Sequence, residues 1–145
     1  MFDTVEIAPS VLSANLIDLG SDLKAIEEGK AAYVHVDVMD GHFVPNLSMG
    51  VPLIKQLRKA TDLLLDVHLM IDNPLVQIPW YISAGADIIT VHLEAFENAS
   101  QVNRALKMIN DAGLKAGLAI KPKTEYSDVL EYLDDLYMVL VMSVE

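Results

Sequence analysis

The sequence predicts an α/β protein made of successive βα units with parallel strands. Short apolar runs alternate with amphipathic segments along the 145 residues, at the spacing expected of units joined by right-handed crossovers. A content of 52% hydrophobic residues with a positive mean hydropathy suits a mostly buried architecture rather than disorder. The length is enough to bury a sizeable single core.

Taken in order, strands are predicted at 5–9, 33–39, 64–70, 88–92, 116–120 and 138–143, which makes six. Helices are predicted between them at 16–28, 51–59, 75–83, 99–111 and 126–133. Gly29 and Gly113 follow helices where a left-handed cap is useful, and Ser127 or Thr124 is placed to cap the fifth helix. The chain contains no low-complexity segment, charge block or linker, so residues 1–145 are expected to form one domain. Recurring Gly-x-x-aliphatic starts after helices reflect the βα unit rather than a sequence repeat.

A formal net charge of -11 with ten basic residues gives no electrostatic footprint for nucleic acid or an anionic membrane. The absence of cysteine excludes disulfides and thiolate metal sites. Asp3 and Glu6 stand where a signal peptide would be basic and then apolar. No uninterrupted run approaches the ~20 apolar residues that span a bilayer. A cytoplasmic protein with no membrane partner is the expectation.

Chemistry concentrates in Val34-His35-Val36-Asp37-Val38-Met39-Asp40-Gly41-His42-Phe43-Val44-Pro45-Asn46. Side chains alternate across a strand, so His35, Asp37 and Met39 share one face while Val34, Val36 and Val38 share the other. Leu65-Asp66-Val67-His68-Leu69-Met70 repeats the arrangement, with Asp66, His68 and Met70 on one face. Laid side by side, the two strands bring His35, Asp37 and His68 together as three potential ligands. Imidazole and carboxylate without thiolate suit zinc, iron, manganese or cobalt. The plain readings are also on the page: a lone strand histidine is usually structural, and methionines fill cores. Asp66 reads either as an outer partner fixing a histidine or as an internal salt bridge. His42 reads as loop structure, and His92 with Glu94 as packing or a solvated rim.

These motifs resemble the ribulose-phosphate 3-epimerase family. The resemblance begins at Ile7-Ala8-Pro9-Ser10-Val11-Leu12-Ser13 and includes the two strands above. It continues through Ala84-Gly85-Ala86-Asp87-Ile88-Ile89-Thr90-Val91-His92, Gly117-Leu118-Ala119-Ile120-Lys121-Pro122 and Val139-Leu140-Val141-Met142-Ser143-Val144-Glu145. It implies a parallel (β/α) barrel of the TIM type, here with about six strands and five helices. Such barrels usually need roughly 200 residues or more, so a C-terminally truncated, incomplete barrel is expected. The resemblance further implies interconversion of D-ribulose 5-phosphate and D-xylulose 5-phosphate by proton transfer at C3, with a divalent ion stabilising the enediolate oxygens. His35, Asp37 and His68 would hold the metal, and Asp37 would also be one of two acid/bases. Ser10, His68, Met39, Met70 and Met142 would contact the pentulose 5-phosphate. The family places the second acid/base aspartate, a fourth ligand and a glycine-rich phosphate loop beyond the last matched motif. Two alternatives stand beside this reading: a 3-epimerase for a six-carbon ketose phosphate such as allulose 6-phosphate, and a non-catalytic fragment or assembly partner.

The chain departs from the family pattern at Lys30-Ala31-Ala32 in place of glycine-alanine-aspartate, and at Leu64, Lys123 and Tyr137. Lys123 is expected to be strained if its turn needs positive φ. An unclosed sheet would expose unpaired edges, so a homo-oligomer or self-association through those edges is expected.

Overall fold

The structure, a computed structural model, describes residues 5–144. Five strands form one all-parallel sheet in the order β1 (Tyr33–Met39), β2 (Leu64–Met70), β3 (Ile88–His92), β4 (Lys115–Ile120) and β5 (Met138–Val141). The α-helix α1 (Leu19–Glu28) precedes β1, and three more join successive strands: α2 (Val51–Ala60), α3 (Pro74–Ala84) and α4 (Ala99–Asp111). Successive 3-10 turns over Tyr126–Asp135 connect β4 to β5. The sheet is open, as an incomplete barrel of the TIM type would be. None of the described helices is long and apolar enough to cross a membrane.

The helices begin and end for local reasons. Asn98 caps α4 by accepting from the Gln101 N–H at 3.2 Å, and proline at the start of α2 and α3 loses no helical hydrogen bond there. Arg58 and Lys59 in the last turn of α2 complement its dipole. The first helix starts at Leu19 rather than at 16, because Asn15 accepts from the Ile17 N–H in an Asx turn that holds the chain out of helix. Gly85 (φ 97°) and Gly113 (φ 78°) end α3 and α4 in the left-handed region. Gly29 does not; its φ is -71°, and Lys30 next to it takes the positive φ of 56°. Lys30 is the one non-glycine residue among those described in this region, so strain lies there and not at Lys123. Thr124 caps no helix, since its hydroxyl donates to Glu94 Oε1 at 2.5 Å, and the turns after it begin without a side-chain cap.

The first of the six predicted strands, 5–9, is not a regular strand. This segment runs beside β1 through isolated contacts: the Ala32 N–H donates to Ile7 O at 3.0 Å, the His35 N–H donates to Pro9 O at 3.0 Å, and Ser10 bridges to His35. Pro9 has no N–H to return.

Alternation along β1 buries Val34, Val36 and Val38 against the helices and turns Tyr33, His35, Asp37 and Met39 inward. The register then sets the chemistry. His35 lies opposite Asp66, Asp37 opposite His68, and Met39 opposite Met70. One layer across, His68 lies opposite Thr90, and Thr90 opposite Gly117. A Cβ at position 117 would stand 2.2 Å from Thr90 Oγ1, so only glycine fits. At the strand starts Arg58 ties α2 to the sheet, donating to Asp87 Oδ2 at 2.7 Å and to Leu63 O at 3.1 Å.

Candidate functional site

The inward side chains at the C-terminal ends of the strands form one continuous hydrogen-bonded group. Asp37 is its centre. Ser10 donates its hydroxyl to Asp37 Oδ2 at 2.5 Å, while His35 Nε2 and His68 Nδ1 lie 3.1 and 3.0 Å from Asp37 Oδ1. His35 Nδ1 is 2.6 Å from Asp66 Oδ2. On the other side His68 Nε2 is 2.8 Å from His92 Nε2, and His92 Nδ1 is 3.2 Å from Glu94 Oε2. Glu94 Oε1 accepts from the Lys121 N–H at 2.7 Å and from the Thr124 hydroxyl.

Electrostatics follow from these contacts. Burial disfavours a charged Asp37, but hydrogen bonds from His35, His68 and Ser10 outweigh it and hold the carboxyl far below the usual range. Burial also opposes charge on His35, yet Asp37 and Asp66 raise its pKa to about 9. Burial lowers the pKa of His68 despite the hydrogen bond to Asp37, and the charges of His92 and His35 push it the same way. Burial pushes Glu94 up, whereas His92, Thr124 and the Lys121 N–H draw it down to about 2.

A count of protons tests whether this group suits a cation. When His35 gives up its second proton, its Nδ1–H still donates to Asp66, which leaves a lone pair on Nε2 facing Asp37 Oδ1. The ligand atoms of His35, Asp37 and His68 all lie within 4.8 Å of one another. His35 Nε2 and His68 Nδ1, at 3.1 and 3.0 Å from Asp37 Oδ1, are near enough to it for the three residues to hold one ion. Acceptors converging on one point need a proton or a cation between them. The donor set therefore fits a divalent metal, and the three residues make a possible His/Asp metal site. Asp66 Oδ1 and Thr90 Oγ1 are buried without a hydrogen-bond partner in the layer beneath it.

Above Asp37 a cavity of about 400 Å³ is lined by Leu12, Met39, Met70, His92, Lys121 and Met142, among others. The structure thus gathers Asp37, Met39, Met70 and Met142 around one space, with Ser10 touching Asp37 from its edge. His68 reaches Asp37 from below; it is only 1% exposed and does not line the cavity. Asp66 is the outer partner of a histidine, namely His35. His42 belongs to the loop, where its N–H donates to Asp40 Oδ1 at 2.8 Å. Of the two readings of His92, the structure fits packing and not a solvated rim: it is 1% exposed, hydrogen-bonded to His68, and 4.8 Å from the Phe43 ring between centroids. Its strand is buried on both faces, so no alternation marked it out. The signal available was its inward parity with Ile88 and Thr90.

Comparison with known proteins agrees with the geometry. The chain is 44% identical over 140 residues to ribulose-phosphate 3-epimerase of Bacillus subtilis, covering 97% of this chain and 63% of that protein. It is 45% identical over 138 residues to the chloroplastic ribulose-5-phosphate-3-epimerase of Arabidopsis thaliana, covering 95% and 49%. For the ribulose-phosphate 3-epimerase of Rhodobacter capsulatus the identity is 45% over 141 residues, with 97% and 60% covered. The chain therefore spans about half to three-fifths of the length of these relatives. Among solved structures, a GH18 chitinase from Flavobacterium johnsoniae superposes with a TM-score of 0.52 at 14% identity, covering 94% of this chain and 52% of that one, which speaks to the fold alone. The sequence profile of the ribulose-phosphate 3 epimerase family matches residues 6–145, and with these relatives it shows that the chain belongs to that family.

Proposed function

We propose that this chain carries the metal-binding and proton-abstracting part of a ribulose-phosphate 3-epimerase, acting between D-ribulose 5-phosphate and D-xylulose 5-phosphate. One observation carries the reading: His35, Asp37 and His68 converge beneath a cavity lined by Met39, Met70 and Met142. Bound there, a divalent ion such as zinc, iron, manganese or cobalt supplies positive charge to oxygens that become anionic beside C3. Asp37, held ionised, takes the C3 proton from one face of the sugar. Ser10 fixes the carboxylate by its hydrogen bond to Oδ2. His35 and His68 hold the Oδ1 side, and the methionine walls keep water from the reacting carbon with a soft apolar surface. Lys121, whose ammonium lies 4.1 Å over the Phe43 ring at the cavity wall, offers a cation toward the anionic ligand. A cytoplasmic location belongs to the same proposal. So does self-association, favoured by exposed apolar side chains at the end of β5 and just after it, Val141 and Val144, 69% and 64% exposed.

The test is exchange of the C3 proton of ribulose 5-phosphate in heavy water with added metal. The chain should catalyse exchange and Asp37→Asn should not. Equal exchange in the variant would remove Asp37 from its role. Sedimentation tests the assembly, for which oligomers are expected and a stable monomer is the contrary result.

A further inference from the structure

We propose that the groove between α2 and α3 docks the Tyr126–Asp135 turns of a second copy of the chain, head to tail. The groove, about 520 Å³ in volume, is lined by Pro52, Lys55, Gln56 and Lys59 of α2 and Ser83 of α3, among others. Its charge is of one sign. No carboxylate stands in α2, and α3 has no charged residue at all. Arg58 is tied to Asp87 and Leu63, so the exposed Lys55 and Lys59 give this surface its charge. Beside them α3 presents Val76 and Trp80, 58% and 51% exposed, on the helical face that also carries Ser83. A cationic and apolar face of this kind stands out in a chain of net charge -11.

The complement lies in Tyr126–Asp135. At three residues per turn, Asp128, Glu131 and Asp134 fall in one row, Leu130 and Leu133 in the next, and Val129 and Tyr132 in the third. Only the third row is buried; the acids are exposed, and Leu130 and Leu133 are 53% and 47% exposed. No lysine or arginine interrupts residues 124–136. The spacings also agree: three 3-10 residues advance about 6 Å from one carboxylate to the next, and four α-helical residues advance about 6 Å from Lys55 to Lys59. One chain cannot join its own two surfaces, because α3 packs on α2 and α4, and α4 packs on Tyr126–Asp135. A second copy can. The two faces differ, so the contact is heterologous, and copies add in chains or close into a ring. Net charge opposes the approach of two copies, but at about 0.1 M salt charges more than about 10 Å apart are screened, and the facing rows decide.

Sedimentation velocity of the full chain at about 0.1 M and about 1 M salt provides the test. We expect the wild type to sediment as more than the 15.9 kDa monomer at the lower salt and to lose that association at the higher. Lys55→Glu with Lys59→Glu, and separately Asp128→Lys with Asp134→Lys, set like charges face to face and should weaken association by about 100-fold or more. All four positions are exposed, so far-UV circular dichroism and the urea midpoint should stay close to those of the wild type. Mixed in equal amounts, the two variants should associate again, because each intact face meets its opposite and the two reversed faces attract. Association through the end of β5 is indifferent to salt and to these substitutions, which tells it apart from this contact. A wild type unaffected by salt, whether monomeric or assembled, would overturn the proposal. So would variants that associate as the wild type does, or dissociated variants that stay apart when mixed.

Discussion

At the C-terminal ends of the strands Asp37 faces two histidines, while at the N-terminal ends Tyr33, Tyr137 and Glu6 form another inward polar cluster. In the second cluster Tyr33 donates to Glu6 Oε2 at 2.7 Å, and Tyr137 lies 2.9 Å from the Tyr33 hydroxyl. The Lys115 ammonium sits 4.1 Å over the Tyr137 ring. There each acceptor meets a donor, and a bridge of side chains joins β1 to the lead into β5. At the mouth, once His35 loses its second proton, acceptors outnumber donors, and the surplus points at one place. A balanced cluster holds a fold together, whereas an unbalanced one waits for a ligand. The two ends should therefore answer differently to substitution, in metal affinity at one and in stability at the other.

The largest effect is expected from Asp37→Asn, which replaces the shared acceptor oxygen. Zinc affinity measured by chelator competition should fall by more than the ~100-fold typical of outer partners, with the urea midpoint of the metal-free chain changing far less. A variant that keeps its zinc would erase the contrast between the ends. Gly117→Ala lies between them, where the new Cβ meets Thr90. Overpacking should cost about 2 kcal/mol in urea unfolding; an unchanged midpoint would mean that the interior yields more easily than its geometry indicates.

The mouth should also respond to pH in a way the other end does not. His35 has a raised pKa of about 9 in the metal-free chain. Its charged form therefore stabilises the fold fully below the ordinary value near 6.5, and that contribution is lost as pH rises through about 9. Zinc competes with that proton, so affinity should rise by up to about tenfold per pH unit toward 9 and then level off. A flat profile from pH 7 to 9 would show that His35 gives up no proton to the metal.

Smaller effects belong to the N-terminal ends. Lys30→Gly should stabilise the chain by about 1 kcal/mol, because it relieves a left-handed residue that carries a side chain. Tyr137→Phe should cost about 0.5–1 kcal/mol through loss of one hydrogen bond, while zinc affinity stays the same. A fall in zinc affinity in Tyr137→Phe would mean that the two clusters are coupled.

Much of this was legible in the sequence, and the exceptions share a cause. The alternation of Val34, Val36 and Val38 gave β1 its bounds and its faces, and parity placed His35 with Asp37. The pairing of Asp37 with His68 needed the register, which no single strand encodes. Local pattern failed where a neighbour decides the outcome: residues 5–9 look like a strand but meet β1 only at isolated points, and the positive φ passed from Gly29 to Lys30. Thr124 looks like a cap, yet its hydroxyl is drawn to Glu94 across 30 residues of sequence. His92 was hidden because its strand has no polar face to announce an inward side.

The seven-residue register between β1 and β2 also has a consequence in time. A slip of one residue would turn Asp37 toward Val67 and send the inward face outward, so no partly paired sheet holds a partly formed site. In refolding, zinc capture should appear as a late step that follows correct pairing, and its lag behind collapse would time the moment at which the strands find their alignment.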